Sequence, residues 1–442
     1  MLKTFAILIC KIAKKLAQKL GRGSSFPGKV ALKICPDILS RVSLPTNIIA
    51  VTGSNGKTST VEMIYHILVN SGFDVVCNKE GSNQIEGVTT LVLDNCDLRG
   101  NFKKDVLLIE VDERYAKYVF SYITPKYYLL NNLYRDQMTR NGHPEYVFEQ
   151  IKLSIRPDST LILNADDPLI SSLAKLYDNT VVYYGAEENQ YVTEKCQSIY
   201  NDGYYCPLCK HKMIYDYYQF AHVGKYECSH CDFEREQPDF AITRIDLSQG
   251  YMIINDEYRI DLAFRSLHNA YNCLAAFTLG RCMNISEEIL VELLNSYVIK
   301  NGRIREFAYK DIGGTLLISK HENTVSYNQN LNYITSLKDK IQLVLIIDDI
   351  SRKYFTSDTS WLWDISFELL NSKNIKKVIV SGKYINDAAV RFNNGDVDMN
   401  KVVLKDSVNE ALDELDNDPQ LRTFVMTCFS DQDKLLKEVE VL

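Results

Sequence analysis

No stretch of this chain approaches the roughly 20 consecutive apolar residues that a membrane span requires, so no spanning segment is expected. Positive charge is not in excess either. The net charge is −7 with 24 % charged residues, which provides no bulk basic field, and no nucleic-acid partner is expected. No internal repeat or low-complexity tract is evident. An export signal is also missing: the apolar run 5–10 ends at Lys11, and no small-residue cleavage site follows. Without export, the twelve cysteines belong in a reducing cytosol, where metal ligation is favoured over disulfides.

What is present begins with a basic amphipathic helix over 2–20. Leu2, Phe5, Ile9, Ile12, Leu16 and Leu20 share one face, with Lys11, Lys14, Lys15 and Lys19 around it. Two readings stand: a helix docked on the body of the protein, or contact with an anionic membrane surface. A chain of 442 residues is too long for one ordinary core, and the divisions expected are 1–42, 43–300 and 301–442. In the middle division, runs at 106–111, 127–130, 160–163 and 181–184 read as strands at βαβ intervals, hence a parallel sheet wrapped by helices. In the last, 316–318, 342–347, 377–380, 401–404 and 424–427 alternate with helical patterns such as 360–370 and 408–415. That is a second, doubly wound Rossmann-like unit. The fold class is α/β.

The stretch that carries chemistry is Thr52-Gly53-Ser54-Asn55-Gly56-Lys57-Thr58-Ser59. An apolar strand over 48–51 runs into a glycine-bearing turn, and a helix then starts near Thr58. Such a turn closes round a phosphate, which also meets the unpaired N–H groups of the helix start. Lys57 can reach the β- and γ-phosphates and the Thr58 hydroxyl can ligate Mg²⁺. The strict Walker A pattern wants a glycine where Val51 stands; here the glycine is Gly53. Glu110, near the end of the 106–111 strand, fits the acidic group that an NTPase uses to hold or organise Mg²⁺.

Between 196 and 240 the pattern changes to short polar and aromatic segments. Cys206-x-x-Cys209 and Cys228-x-x-Cys231 match the zinc spacing of two C-x-x-C knuckles. Four thiolates complete a tetrahedral shell, so an inserted zinc ribbon with a structural Zn²⁺ is expected. Further on, 251–260 reads as a hairpin turning at Asn255-Asp256. Asn269 and Asn272 then share a helix face, where they either bind a polar ligand edge or cap the helix. Asn164-Ala165-Asp166-Asp167-Pro168 is good turn chemistry.

Taken in order, these motifs resemble the Mur ligase family, and within it the MurT branch. The family loop T-G-[TS]-N-G-K-T is similar to Thr52–Thr58 and accounts for the displaced glycine. E-x-D-E is similar to Glu110-Val111-Asp112-Glu113, N-x-x-R-D-Q-x-x-R-x-G to 132–142, N-A-D-D-P to 164–168, N-A-Y-N-x-L-A-A to 269–276 and N-G-R to Asn301-Gly302-Arg303. The branch's N-E-G-x-N resembles 79–83, with Lys79 departing. K-N-P-x-G-x-N is only loosely similar to 320–328, and the N-D run that continues to Ser-Trp resembles Asp348-Asp349 through Ser360-Trp361, without its A-D-G.

The resemblance implies an ATP-dependent carbon–nitrogen ligase that amidates a glutamate carboxylate, D-isoglutamate of the lipid II stem peptide, through an acyl phosphate. It implies ATP, Mg²⁺ and Zn²⁺ as cofactors. Gly53, Ser54, Asn55, Gly56, Lys57, Thr58, Ser59, Asn269, Asn272 and Arg303 would bind nucleotide, Thr58 and Glu110 would hold Mg²⁺, and Lys57, Glu110 and Asp349 would serve catalysis, Asp349 toward ammonia. The seven histidines include none beside a cysteine in a glutaminase pattern, so ammonia is expected from a GatD-like glutaminase subunit in a heterodimer. A cytoplasmic location, at the inner face of the membrane, suits a lipid-linked acceptor. Three alternatives stay open: a ligase that adds an amino acid, a paralogue acting on a different acid, and a catalytically inactive scaffold stabilised by nucleotide and zinc.

Overall fold

The computed structural model describes residues 1–19, 24–78, 82–298, 304–320, 322–348, 358–428 and 431–442. They form two compact units. The first comprises Met1–Tyr134, His143–Gln197 and Asn201–Val298; the second comprises Arg135–Gly142, Ser198–Tyr200 and Ile299–Leu442.

The first unit is built on β1 (Asn47–Thr52), β2 (Val75–Cys77), β3 (Val106–Glu110), β4 (Tyr127–Leu130), β5 (Thr160–Asn164), β6 (Val181–Ala186), the hairpin β7 (Met213–Phe220) and β8 (Val223–Cys228), then β9 (Phe240–Asp246), β10 (Tyr251–Ile254) and β11 (Tyr258–Asp261). Nine of them make one sheet, ordered β11-β10-β9-β6-β5-β4-β1-β3-β2. Pairing is parallel from β2 to β9 and antiparallel for β10 and β11. The central strands read as unbroken apolar runs because both sheet faces are covered: β3 and β4 are buried at every residue. The β10–β11 turn falls where the sequence places it, with Asn255 and Asp256 both at positive φ, the conformation a tight hairpin turn requires. The hairpin β7–β8 stands apart as its own two-stranded sheet.

The helix Leu2–Lys19 is docked, as one of the two readings expects, but most of its large apolar side chains stay outside the contact. Ala6, Ile7, Cys10 and Ala17 are buried, while Leu2, Phe5, Leu8, Ile12 and Leu16 are exposed.

The second unit carries β12 (Ile304–Tyr309), β13 (Ile312–Ser319), β14 (Lys340–Ile346), β15 (Ile375–Ser381), β16 (Val402–Lys405), β17 (Leu421–Cys428) and β18 (Glu440–Val441), ordered β16-β15-β14-β17-β13-β12-β18. The five strands from β16 to β13 are parallel and β12 and β18 are antiparallel. Alternate residues of β14 serve opposite cores: Leu343 and Leu345 pack with Leu331, Phe367 and Phe392, Val344 and Ile346 with Leu412 and Leu435. That is the period-two pattern of a strand buried on both faces.

The helix expected over 360–370 is instead two 3-10 turns, Ser360–Asp364 and Phe367–Asn371. Side chains divert the backbone groups that a continuous helix would use. Asn328 Oδ1 accepts from Ser366 N at 2.9 Å, and Arg391 Nη2 donates to Ile365 O at 2.7 Å. Among the described residues no helix is long and apolar enough to cross a membrane.

Candidate active site

The strand β1 delivers the chain into the glycine turn, and the helix Lys57–Asn70 leaves it. Gly53 has φ +135° and Gly56, the residue before the helix, +81°, conformations that favour glycine. Space imposes the same choice at Gly56, because an added Cβ would lie 2.1 Å from Asn272 Oδ1. The strand-end asparagines following β4 brace the turn: Ser54 N donates to Asn132 O at 2.9 Å, Asn55 N to Asn132 Oδ1 at 2.8 Å, and Asn132 Nδ2 to Asn55 O at 3.2 Å. The Ser54 hydroxyl donates to Tyr134 O and accepts from Tyr134 N. A rigid, preformed anion cradle results.

Two carboxylates meet this turn. Lys57 Nζ donates to Gly53 O and forms a 2.6 Å ion pair with Glu113 Oε1, with both side chains buried. Thr58 Oγ1 donates to Glu110 Oε2 at 2.9 Å. Glu110 is fixed through its backbone: its N–H donates to Asn78 Oδ1 and its carbonyl accepts from Asn78 Nδ2, both at 2.8 Å. A hydroxyl and a carboxylate in contact make an all-oxygen donor pair, the kind Mg²⁺ takes when it is also bound to substrate phosphates. Ser59, like Thr58, is exposed in the first turn of the helix, between the buried Lys57 and Thr60.

The two asparagines of the helix Leu267–Cys282 part company. Asn272 Oδ1 faces Gly56 and accepts from Thr60 Oγ1 at 3.4 Å. Asn269 bonds locally, its N–H to Ser266 Oγ at 3.2 Å and its Nδ2 lying 3.9 Å from Cys273 Sγ. Arg303 and Asp349 lie outside the described residues, as do Lys79, Glu80, Gly81, Asn301 and Gly302.

Residues to which the sequence gives no individual role are Glu113, Asn78, Asn131 and above all Asp166, although Glu113 and Asp166 fall within quoted motifs. Asp166 is fully buried and accepts from Arg235 Nε at 2.6 Å, Tyr271 Oη at 2.5 Å and Ala186 N at 2.7 Å. Burial raises its pKa, against the pull of the Arg235 guanidinium. Asp167 caps the short helix that follows and also accepts from Leu133 N at 2.8 Å. Two adjacent aspartates before a proline look like a turn; burial of both is the product of tertiary packing.

The four cysteines converge. Their sulfurs lie within 4.8 Å of one another, Cys206 to Cys231 at 3.7 Å and Cys209 to Cys228 at 3.4 Å. Zn–S bonds of about 2.3 Å at tetrahedral angles imply S···S separations of about 3.8 Å, so the set fits one metal ion.

Within the second unit, two stretches far apart in sequence meet. Asp136 pairs with Lys320 Nζ and accepts from Asn323 Nδ2 at 2.8 Å, and Gln137 N donates to Glu322 O at 3.2 Å.

Residues 51–229 match the Mur ligase middle domain and 321–431 the MurT ligase C-terminal domain. The chain is 32 % identical to the lipid II isoglutaminyl synthase (glutamine-hydrolyzing) subunit MurT of Staphylococcus aureus, over 91 % of this chain and 90 % of that one. It belongs to the MurT family of Mur ligases. The MurT subunit of Streptococcus pneumoniae is 27 % identical over 97 % of this chain and 94 % of its own. Among solved structures, a pseudomurein peptide ligase type C from Methanothermus fervidus superposes with a TM-score of 0.69 at 20 % identity, covering 91 % of this chain and 80 % of that one. That likeness speaks for the Mur ligase fold. As a MurT-family member this chain is an ATP-dependent ligase.

Proposed function

We propose that this chain amidates the α-carboxylate of D-isoglutamate in the lipid II stem peptide, using ATP and ammonia from a glutaminase subunit with which it forms a heterodimer. The observation that carries this reading is its kinship with subunits of that name, which extends over nine-tenths of the chain and through the MurT C-terminal domain. The loop geometry supports the phosphoryl-transfer half.

A carboxylate is a poor electrophile. One of its oxygens attacks the γ-phosphorus of ATP, the bond to the β-phosphate oxygen breaks, and an acyl phosphate and ADP form. The ammonia nitrogen then attacks the acyl carbon, the C–O bond to phosphate breaks, and a proton leaves the nitrogen, giving amide and inorganic phosphate. In the first step charge spreads over the transferring phosphoryl oxygens, and preorganised donors lower its barrier. Lys57 supplies the cation, released from Glu113 toward phosphate. Gly53, Ser54, Asn55, Gly56, Thr58 and Ser59 supply the cradle, with Asn272 beside it. Asn269 and Arg303 complete the nucleotide contacts, and Asp349 orients ammonia. Thr58 and Glu110 would hold Mg²⁺, which would supply positive charge toward the transferring phosphoryl group. Cys206, Cys209, Cys228 and Cys231 would hold a structural Zn²⁺ closing an inserted ribbon over about 196–240; four protein sulfurs would leave no position for a reactive water.

The test combines the chain, its candidate glutaminase, ATP, glutamine and lipid II. Mass spectrometry should find a carboxyl converted to a carboxamide, with ADP and phosphate released in equal amounts. ATP turnover with an amino acid incorporated instead would favour an amino-acid-adding ligase, and no turnover with any acceptor would favour a scaffold.

A further inference from the structure

The helix Leu2–Lys19 turns most of its large apolar side chains away from the protein, Ile7 being the fully buried exception. Its inward face is narrow: Ala6, Ile7 and Cys10 join a core that includes Ala31, Cys35, Val88 and Val92. Polar contacts fix its rotation, since Lys14 forms a 2.7 Å ion pair with Asp94 and Lys11 Nζ donates to Asp94 O at 2.6 Å. The outward stripe, Leu2, Phe5, Leu8, Ile12 and Leu16, is between 42 and 56 % exposed. Five large apolar residues aligned on one helix face are not the scattered single exposures that a soluble surface carries.

Charge indicates what covers the stripe. Residues 1–36 contain seven lysines and one arginine and neither aspartate nor glutamate, in a chain whose net charge is −7. Lys15 and Lys19 are exposed beside the stripe, and Lys29 and Lys33 are exposed on the adjoining helix Ser25–Ile34. A second copy of this chain would bring the same cations and be repelled. An anionic bilayer complements both features, taking the apolar stripe among its acyl chains and the ammonium groups at its headgroups.

We infer that the helix Leu2–Lys19 is an interfacial anchor that seats the enzyme on an anionic membrane surface. It lies in the headgroup plane without crossing the bilayer. The inference draws its purpose from the proposed lipid-linked acceptor, but its test needs neither ATP nor acceptor, so either reading can fail while the other stands.

Full-length, zinc-loaded protein is sedimented with vesicles of phosphatidylglycerol and phosphatidylcholine, and with vesicles of phosphatidylcholine alone. Binding to the first is expected at low salt, falling as sodium chloride rises, and little binding to the second. Ile12→Glu with Leu16→Glu should cut the bound fraction roughly tenfold, and Lys15→Glu with Lys19→Glu should do so independently, with unfolding temperature and far-ultraviolet circular dichroism unchanged. The inference is overturned by absent binding at low salt, or by binding that both double variants retain. It is equally overturned by a dimer in analytical ultracentrifugation that the apolar double variant disperses, or by loss of glutaminase copurification in that variant while vesicle binding persists.

Discussion

Lys57 is held by Glu113 and by the Gly53 carbonyl, so replacing it alters stability and chemistry together. Lys57→Ala leaves the Glu113 carboxylate buried without its cation, at about 3–5 kcal/mol. It also removes a preorganised charge from phosphoryl transfer, worth roughly 100-fold or more in turnover. Lys57→Ala with Glu113→Ala should separate the two effects. Urea unfolding is expected to return much of the way to wild type while ADP release stays lost, and turnover recovering along with stability would mean that the Lys57 charge has no part in the reaction. This pair also marks what a sequence can convey at the scale of one residue. The shifted glycine was legible because Gly53 and Gly56 answer to local backbone demands. Glu113 was quoted within a motif, yet its contact spans 56 residues, and no local rule reports such a partner.

Among the elements, strands with unbroken apolar runs were the most legible, because β3, β4 and β14 take their character from burial on both faces. The 360–370 segment was not, since Asn328 and Arg391 reach it from other elements and take its backbone groups. The same holds for Asp166, which ties together four elements: the end of β5, β6 through Ala186 N, the β7–β8 hairpin through the bond from Gly224 N to its carbonyl, and the helix of Asn272 through Tyr271. Arg235 balances its charge with both side chains buried. Arg235→Met is therefore expected to destabilise by about 3–5 kcal/mol, seen as a lower urea midpoint, and adding Asp166→Asn should recover part of the loss. The hairpin itself has a small core, Cys206, Met213, Tyr226, Cys228 and Phe233, too few residues to hold a fold without help. Stripping the metal should unfold it while the nine-stranded sheet persists. Near-ultraviolet circular dichroism would follow the stacked Tyr215 and Tyr218 rings, 4.2 Å apart; metal analysis of the starting protein should give one zinc per chain, and an unchanged tyrosine signal after chelation would show that the hairpin does not depend on metal.

For the whole molecule, sequence order and compactness divide the chain differently. Pattern changes suggest a boundary near 301, yet Arg135–Gly142 and Ser198–Tyr200 cluster with the later residues. Asp136 is the reason at the atomic level: it is buried and is engaged by Lys320 and Asn323. A fragment spanning 304–442 lacks it, and with it one acceptor of the half-buried Lys320 ammonium and of the buried Asn323 amide, the latter worth about 1–3 kcal/mol. That fragment should unfold several degrees below the transition of the same unit in the intact chain. Asp136→Ala in the full-length protein removes the same acceptor without cutting the chain, so it should lower the second unit's transition and leave the first unit's in place. Differential scanning calorimetry resolves these cases: a fragment melting at the intact temperature, together with a silent Asp136→Ala, would mean that residues 135–142 accompany the second unit without stabilising it.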